Sequence, residues 1–177
     1  MTTVLQNYNR YKVLQEFFNS PRKSFQMREL SRRVELAQVS IMNHLKALQK
    51  EDLILREETG IYATYRANRE SEHFRLLKRQ NIVLRINSCN LISFLDEKLK
   101  PNSIVLFGSA SRGDDTEVSD IDIFVQAKET ELDLRWYEKV LNRKIKLLFE
   151  PNLGNLSKEL LNNIINGQIL YGYLKVF

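Results

Sequence analysis

The chain has 177 residues, 43% hydrophobic and 28% charged, an ordinary globular composition with room for one large or two small domains. A single cysteine, Cys89, excludes an internal disulfide and a cysteine metal site, and two histidines, His44 and His73, are too few and too far apart for zinc. The net charge of +5 is uneven: residues 1–100 carry 18 Lys and Arg against 11 Asp and Glu, residues 101–177 carry 9 against 11, so the first part is the candidate polyanion binder.

No N-terminal apolar stretch reads as a signal peptide and no run of about 18 apolar residues reads as membrane-spanning, so a cytoplasmic protein without a membrane partner is expected. In chain order, Val4 to Phe18 is an amphipathic helix candidate, with Leu5, Tyr8, Tyr11, Val13, Leu14, Phe17 and Phe18 at its apolar positions. Asn19-Ser20-Pro21 ends it. A second, short helix begins in Ser24–Ser31, with Ser24 or Gln26 near its start. Leu36-Ala37 makes a tight link to a third helix over Gln38–Lys50. There Ile41, Leu45 and Leu48, spaced four and three apart, define one buried face. Gln38, Ser40, Asn43 and Lys46 lie largely off it, and His44 is a partly buried or surface histidine. Two strand-like runs, Leu53–Arg56 and Ile61–Arg66, flank Glu57-Glu58-Thr59-Gly60 and read as a hairpin.

This order of helices and hairpin resembles a winged helix-turn-helix domain of the ArsR- and MarR-like regulators, with Glu35–Ile54 as its helix-turn-helix. The resemblance implies double-stranded DNA as partner and a role in transcription regulation. Gln38, Ser40 and Asn43 offer amides and a hydroxyl able to read base edges, and Lys46 and Arg66 offer charges for phosphates. A third helix that only packs, or that docks a protein, fits the same pattern.

From about Glu70 to Leu99 there is neither proline nor glycine. Leu77, Leu84 and Leu91 recur every seven residues, and one long helix, bent near Asn87-Ser88, is the simplest reading. Three leucines are too few for a coiled coil, so a helix that packs back on both domains is the expected role; it is also the best candidate interface of a homodimer. Pro101 closes it.

Ser103–Val125, SIVLFGSASRGDDTEVSDIDIFV, carries the most chemistry. A short apolar run ends in a Gly108-Ser109 turn whose bare backbone can approach phosphate oxygens. Further on, Asp120 and Asp122 stand two apart within a second apolar run, so in a strand they share one face while Ile121 and Ile123 face the core. Paired carboxylates repel unless a cation lies between them, and a hard, oxygen-loving ion such as Mg²⁺ suits them. Phosphate cradle and carboxylate pair together suggest phosphoryl or nucleotidyl transfer.

Gly108, Ser109, Arg112, Gly113, Ser119, Asp120 and Asp122 match the pattern of the minimal nucleotidyltransferases, which share a fold with DNA polymerase β, and the resemblance covers Pro101 to the C-terminus. It implies that Asp120 and Asp122 bind the metal of a nucleotide triphosphate, ATP by expectation, and are catalytic. It implies phosphate contacts from Gly108 and Ser109, with Arg112 and Ser119 beside the nucleotide. A protein or small-molecule hydroxyl would be the acceptor, and such proteins often act as antitoxins that modify a HEPN-type toxin. Active members carry a third carboxylate on a neighbouring strand, and here that position falls on Lys146. Glu150 shares its strand parity four residues on, about 13 Å away. A degenerate site serving nucleotide sensing or dimerisation in a non-enzymatic regulator is therefore the alternative reading.

Downstream, Leu132–Asn142 reads as a helix with Trp136 in the core, Ile145–Phe149 as a strand, and Asn155–Asn166 as a last helix stopped by Gly167. The expected whole is an α+β chain of two domains. A winged helix-turn-helix spans residues 1–69, a connecting helix 70–100, and a nucleotidyltransferase-like domain with a mixed sheet and helices 101–177.

Overall fold

A computed structural model describes residues 8–58 and 61–175. The chain divides into two compact units, Met1–Lys78 and Arg79–Phe177.

The first unit contains α1 (Asn9–Asn19), β1 (Phe25–Gln26), α2 (Met27–Val34), α3 (Gln38–Lys50), β2 (Ile54–Glu57), β3 (Thr64–Ala67) and the start of α4 (Glu72–Ser88). Of the helix expected over Val4–Phe18, Val4–Asn7 lies outside the described residues, and Tyr8, expected on the apolar face, is exposed. The second helix starts at Met27 with Gln26 as its N-cap, as expected, but the residues before it also form a strand. Phe25 and Gln26 pair with Tyr65 and Thr64, giving an antiparallel sheet of order β1-β3-β2. Tertiary pairing overrides a local preference that two residues alone express weakly.

Between α2 and α3 no glycine is needed, because Glu35 itself takes the left-handed conformation at φ 55°. Ser31 Oγ donates to the Leu36 carbonyl at 2.5 Å across this turn. Val13, Leu14, Phe17 and Phe18 of α1, Leu30 of α2, and Ile41, Leu45 and Leu48 of α3 close one core with Phe25, Ile54 and Phe74. Each large apolar side chain buried there contributes roughly 1.5–3 kcal/mol.

The second unit continues with α5 (Leu91–Leu99), β4 (Ser103–Phe107), α6 (Gly108–Arg112), β5 (Ile121–Val125), α7 (Arg135–Leu141), β6 (Ile145–Phe149), α8 (Lys158–Ile165) and β7 (Gln168–Gly172). The single helix expected from Glu70 to Leu99 is two, α4 and α5. The break is at Asn90, whose φ of 59° no α-helix accommodates; asparagine is among the few non-glycine residues that adopt it readily.

The mixed sheet has the order β6-β5-β4-β7, with β5 and β6 parallel and the other pairs antiparallel. Strand alternation divides its side chains. Ile104, Leu106, Ile121, Ile123 and Val125 enter one core with Ile86, Leu95 and Leu141. Val105 and Phe124 enter another with Leu153 and Ile164. At Gly167 an added Cβ would stand 2.5 Å from the Leu106 carbonyl, so this glycine permits a close approach to β4. The residue after α8 is Asn166, in ordinary backbone, so Gly167 is not a left-handed helix stop.

Three other boundaries differ from expectation. The hairpin strand expected from Ile61 begins only at Thr64. The last helix begins at Lys158, capped by Ser157 Oγ accepting from Leu160 N at 3.2 Å, while Leu153–Asn155 is a separate 3₁₀ turn. The helix expected over Leu132–Asn142 is only α7, Arg135–Leu141. Trp136, expected in the core, is 59% exposed and stacks edge-on against Tyr137 at 4.9 Å between centroids. A two-turn helix buries one narrow stripe, here Leu141 and the partly buried Tyr137, and Trp136 falls beside it.

Candidate active site

β4 and β5 deliver the motif to one end of the sheet. Ile121 and Ile123 are fully buried, as their parity requires, so Asp122 projects from the opposite face. In the register Phe107 stands opposite Asp122, and Lys146 of β6 is Asp122's partner on the other side. Phe107, Asp122 and Lys146 thus form one cross-strand row. Asp120 precedes β5 and is set by the loop after α6.

Gly108 and Ser109 do not form an isolated tight turn. They open α6, and Gly108 adopts φ 70° directly after β4. A Cβ at Gly108 would lie 2.5 Å from Asp122 Oδ2, so the bare glycine backbone rests against that carboxylate. Ser109 is half-buried.

Burial pushes the Asp122 carboxyl above its ordinary value; Lys146 and Arg143 pull it down, and the neighbouring Asp120 charge pushes it further up. Ionised Asp122 is therefore held at an electrostatic cost that a cation would relieve.

Lys146 Nζ forms an ion pair with Asp120 Oδ2 at 2.6 Å. The Asp120 carboxylate beside it raises the Lys146 ammonium above its usual value. Glu150 does not reach the row. Its Oε1 accepts from Asn152 N at 2.9 Å and from Asn155 Nδ2 at 3.1 Å, closing the turn after β6. Among the described residues, no group of three or more His, Cys, Asp or Glu could hold a metal ion.

The other residues singled out in the motif are distributed around this centre. Arg112 Nε donates to Asp114 Oδ2 at 3.2 Å. Ser119 Oγ accepts from Thr116 N at 2.9 Å and stands 3.1 Å from Thr116 Oγ1, closing the loop before Asp120. A cavity of about 510 Å³ adjoins Asp120 on the α7 side, lined also by Ser119, Glu138, Lys139 and Arg143. Asp122 and Gly108 do not line it.

Two residues escaped the sequence reading. Arg143 and Asp115, 28 positions apart, form an ion pair with N–O distance 2.8 Å beneath the Asp120 loop. An acid immediately beside the motif and an arginine just before β6 were the only signals.

In the first unit, Gln38, Asn43 and Lys46 share the exposed side of α3 with Val39 and Met42. Ser40 is turned inward, its Oγ 3.2 Å from His44 Nε2. Arg66 lies on the hairpin strand β3, as its apolar run indicated, ion-paired with Glu57 across the hairpin. Arg28, on α2, lies over the Tyr62 ring at 5.8 Å.

Mg²⁺ commonly takes one or two protein carboxylates and completes its octahedron with water and substrate phosphate. Asp120 and Asp122 supply that number, with the partly exposed Gly108 backbone beside Asp122. The residues thus fit one cation shared with a phosphate, provided that the exposed Lys146 side chain swings away from Asp120. No helix among the described residues is long and apolar enough to cross a membrane.

Comparison with known proteins adds a family. The family described as "Polymerase beta, Nucleotidyltransferase" matches residues 89–173. Three proteins of Methanocaldococcus jannaschii, each named "Putative protein adenylyltransferase", are similar to this chain. They are 38%, 42% and 37% identical to it, over 34%, 33% and 46% of this chain and 69%, 76% and 72% of their own lengths. No solved structure matches.

Proposed function

The chain belongs, through residues 89–173, to the polymerase β nucleotidyltransferase family, and from that premise we propose that its second unit binds a nucleotide triphosphate with Mg²⁺ and transfers the nucleotide monophosphate to a hydroxyl, whose oxygen bonds to the α-phosphorus as the α–β phosphoanhydride breaks, releasing pyrophosphate and the hydroxyl proton. The observation that carries this reading is the contact of the Gly108 backbone with the Asp122 carboxylate, which sets a phosphate approach against a metal ligand. Asp120 and Asp122 hold the cation, which when bound would supply charge neutralisation of the phosphates. The Gly108–Ser109 backbone takes the phosphate oxygens, and Arg112 and Ser119 border them. The names of the relatives favour ATP as donor and a protein as acceptor; a HEPN-type toxin is the partner class the minimal nucleotidyltransferases suggest, which would make this an antitoxin-like protein.

Transfer from α-labelled ATP into protein, with Mg²⁺ and with Asp120→Asn and Asp122→Asn as controls, tests the reading. Label incorporation that both substitutions leave intact would remove the aspartates from the chemistry.

The first unit is proposed to be a winged helix-turn-helix that binds double-stranded DNA, with α3 in the major groove. Its element order and the exposed Gln38, Asn43 and Lys46 support this. Arg66 would reach phosphate by leaving Glu57. Ser40 would read a base only after turning from His44.

The pair of Lys146 with Asp120 favours a second reading. Here the ammonium stands in for the metal, no third carboxylate serves as base, and the domain senses nucleotide or dimerises within a transcription regulator. Introducing an acid by Lys146→Asp separates the two. Mg²⁺-dependent nucleotide binding that appears only in the variant would support the second reading; binding already present in the parent would contradict it.

A further inference from the structure

Asp120 differs from Asp122 in how it is held. Asp122 is fixed by ladder pairing on both sides, whereas Asp120 arrives at the end of the loop that follows α6. One side chain gathers that loop. Arg143 Nη1 donates to Asp115 Oδ2 at 2.8 Å, Nε donates to the Ser119 carbonyl, and Nη2 makes a longer contact of 3.4 Å with the Asp120 carbonyl. The pair is well removed from water: the Asp115 side chain is 5% exposed and that of Arg143 10%.

Stability alone is a poor account of such a pair, since buried ion pairs are often no better than well-packed apolar groups of the same volume. What a guanidinium offers here is shape. Its planar fork satisfies a carboxylate and carbonyls at fixed angles, which a single ammonium cannot do. The two carbonyls belong to the residue carrying the candidate ligand and to the one before it. Thr116 and Ser119 bond to each other within the loop, and Lys146 of β6 holds the Asp120 carboxylate but not the backbone that carries it. The bond from Ile121 N to the Lys144 carbonyl, at 2.8 Å, anchors only the residue after Asp120.

The geometry points to Arg143, itself oriented by Asp115, as the positioning residue that fixes Asp120 for cation and nucleotide. The purpose of this clamp rests on the function proposed above; its hold on the loop does not.

The test uses the full chain with Arg143→Gln, Arg143→Lys and Asp115→Asn. It measures thermal unfolding, amide hydrogen exchange over residues 114–122, and Mn²⁺ binding without nucleotide. Arg143→Gln and Asp115→Asn are expected to speed exchange in the loop and weaken Mn²⁺ about tenfold. Arg143→Lys keeps the charge beside Asp115 but loses the fork. It should regain most of the thermal stability lost by Arg143→Gln while exchange stays fast and Mn²⁺ stays weak. A lysine variant that restores all three properties, or a glutamine variant with parental loop exchange, would overturn the positioning role. Should the parent bind no Mn²⁺ even with ATP added, the proposed function falls, and the exchange of the lysine variant alone decides the clamp: fast exchange sustains it and parental exchange removes it.

Discussion

Lys146 Nζ stands 2.6 Å from Asp120 Oδ2, although the strand register pairs Lys146 with Asp122. The lysine therefore leaves its cross-strand row and reaches the carboxylate two residues before its register partner. Its side chain is 70% exposed, and ion pairs with such a partner are weak and sensitive to salt. A dication that engages both carboxylates should displace it. Lys146→Ala is accordingly expected to raise Mn²⁺ affinity modestly, by no more than about fivefold at low salt, with the gain shrinking as salt is added. Calorimetry on parent and variant checks this. A parent with no measurable Mn²⁺ binding beside a variant that binds well would instead mean that the ammonium owns the site.

Gly108 offers a second test. Its φ of 70° favours glycine, and a Cβ there would meet Asp122 Oδ2 at 2.5 Å. Gly108→Ala should cost on the order of 1–3 kcal/mol from the strained backbone, plus whatever displacement of the carboxylate adds. Chemical denaturation gives the first quantity. Nucleotide binding should fall more steeply than stability does, because the displaced groups are those proposed to meet phosphate and cation.

His44 gives the first unit a pH dependence. Burial lowers its imidazole below the ordinary value, and the Arg10 charge lowers it further. Because the folded value lies below the unfolded one, the folded protein resists protonation. The stability attached to neutral His44 is present above about pH 6.5 and is lost as pH falls through the folded value. His44→Gln should flatten the fall of the unfolding temperature between about pH 7 and 5. An unchanged slope would place the titration elsewhere.

For DNA, Lys46 is the informative residue, being exposed on α3 with Gln38 and Asn43. Lys46→Ala should weaken binding to mixed duplex fragments and lower the slope of log affinity against log salt by about 1. Asn43→Ala should leave that slope alone and relax sequence preference. No binding by the parent at low salt would remove DNA as the partner of this unit.

What the sequence made legible followed from periodicity and from motif spacing. Ile145–Phe149 is a strand with the limits read from its apolar run, and Ile121 and Ile123 are buried as alternation demands. Features that depend on tertiary context were hidden. The Phe25–Gln26 strand exists only because β3 lies beside it. Asn90 breaks the long helical pattern without the proline or glycine that usually announces a break. Trp136 was misplaced because its apolar character cannot reveal that α7 has only two turns and buries a stripe beside it. The site itself was half visible. Its two aspartates and glycine lie within fifteen residues of each other, while the Arg143–Asp115 clamp joins positions that no local window spans.

Titration of the full chain with ATP, with and without Mg²⁺, on the parent and on Asp122→Asn, tests the central claim most directly. The account predicts saturable binding that needs Mg²⁺ and is largely lost in the variant, since Asp122 is the carboxylate beside the Gly108 backbone and the proposed ligand of the cation. Binding of equal strength without Mg²⁺, unchanged by Asp122→Asn, would contradict it.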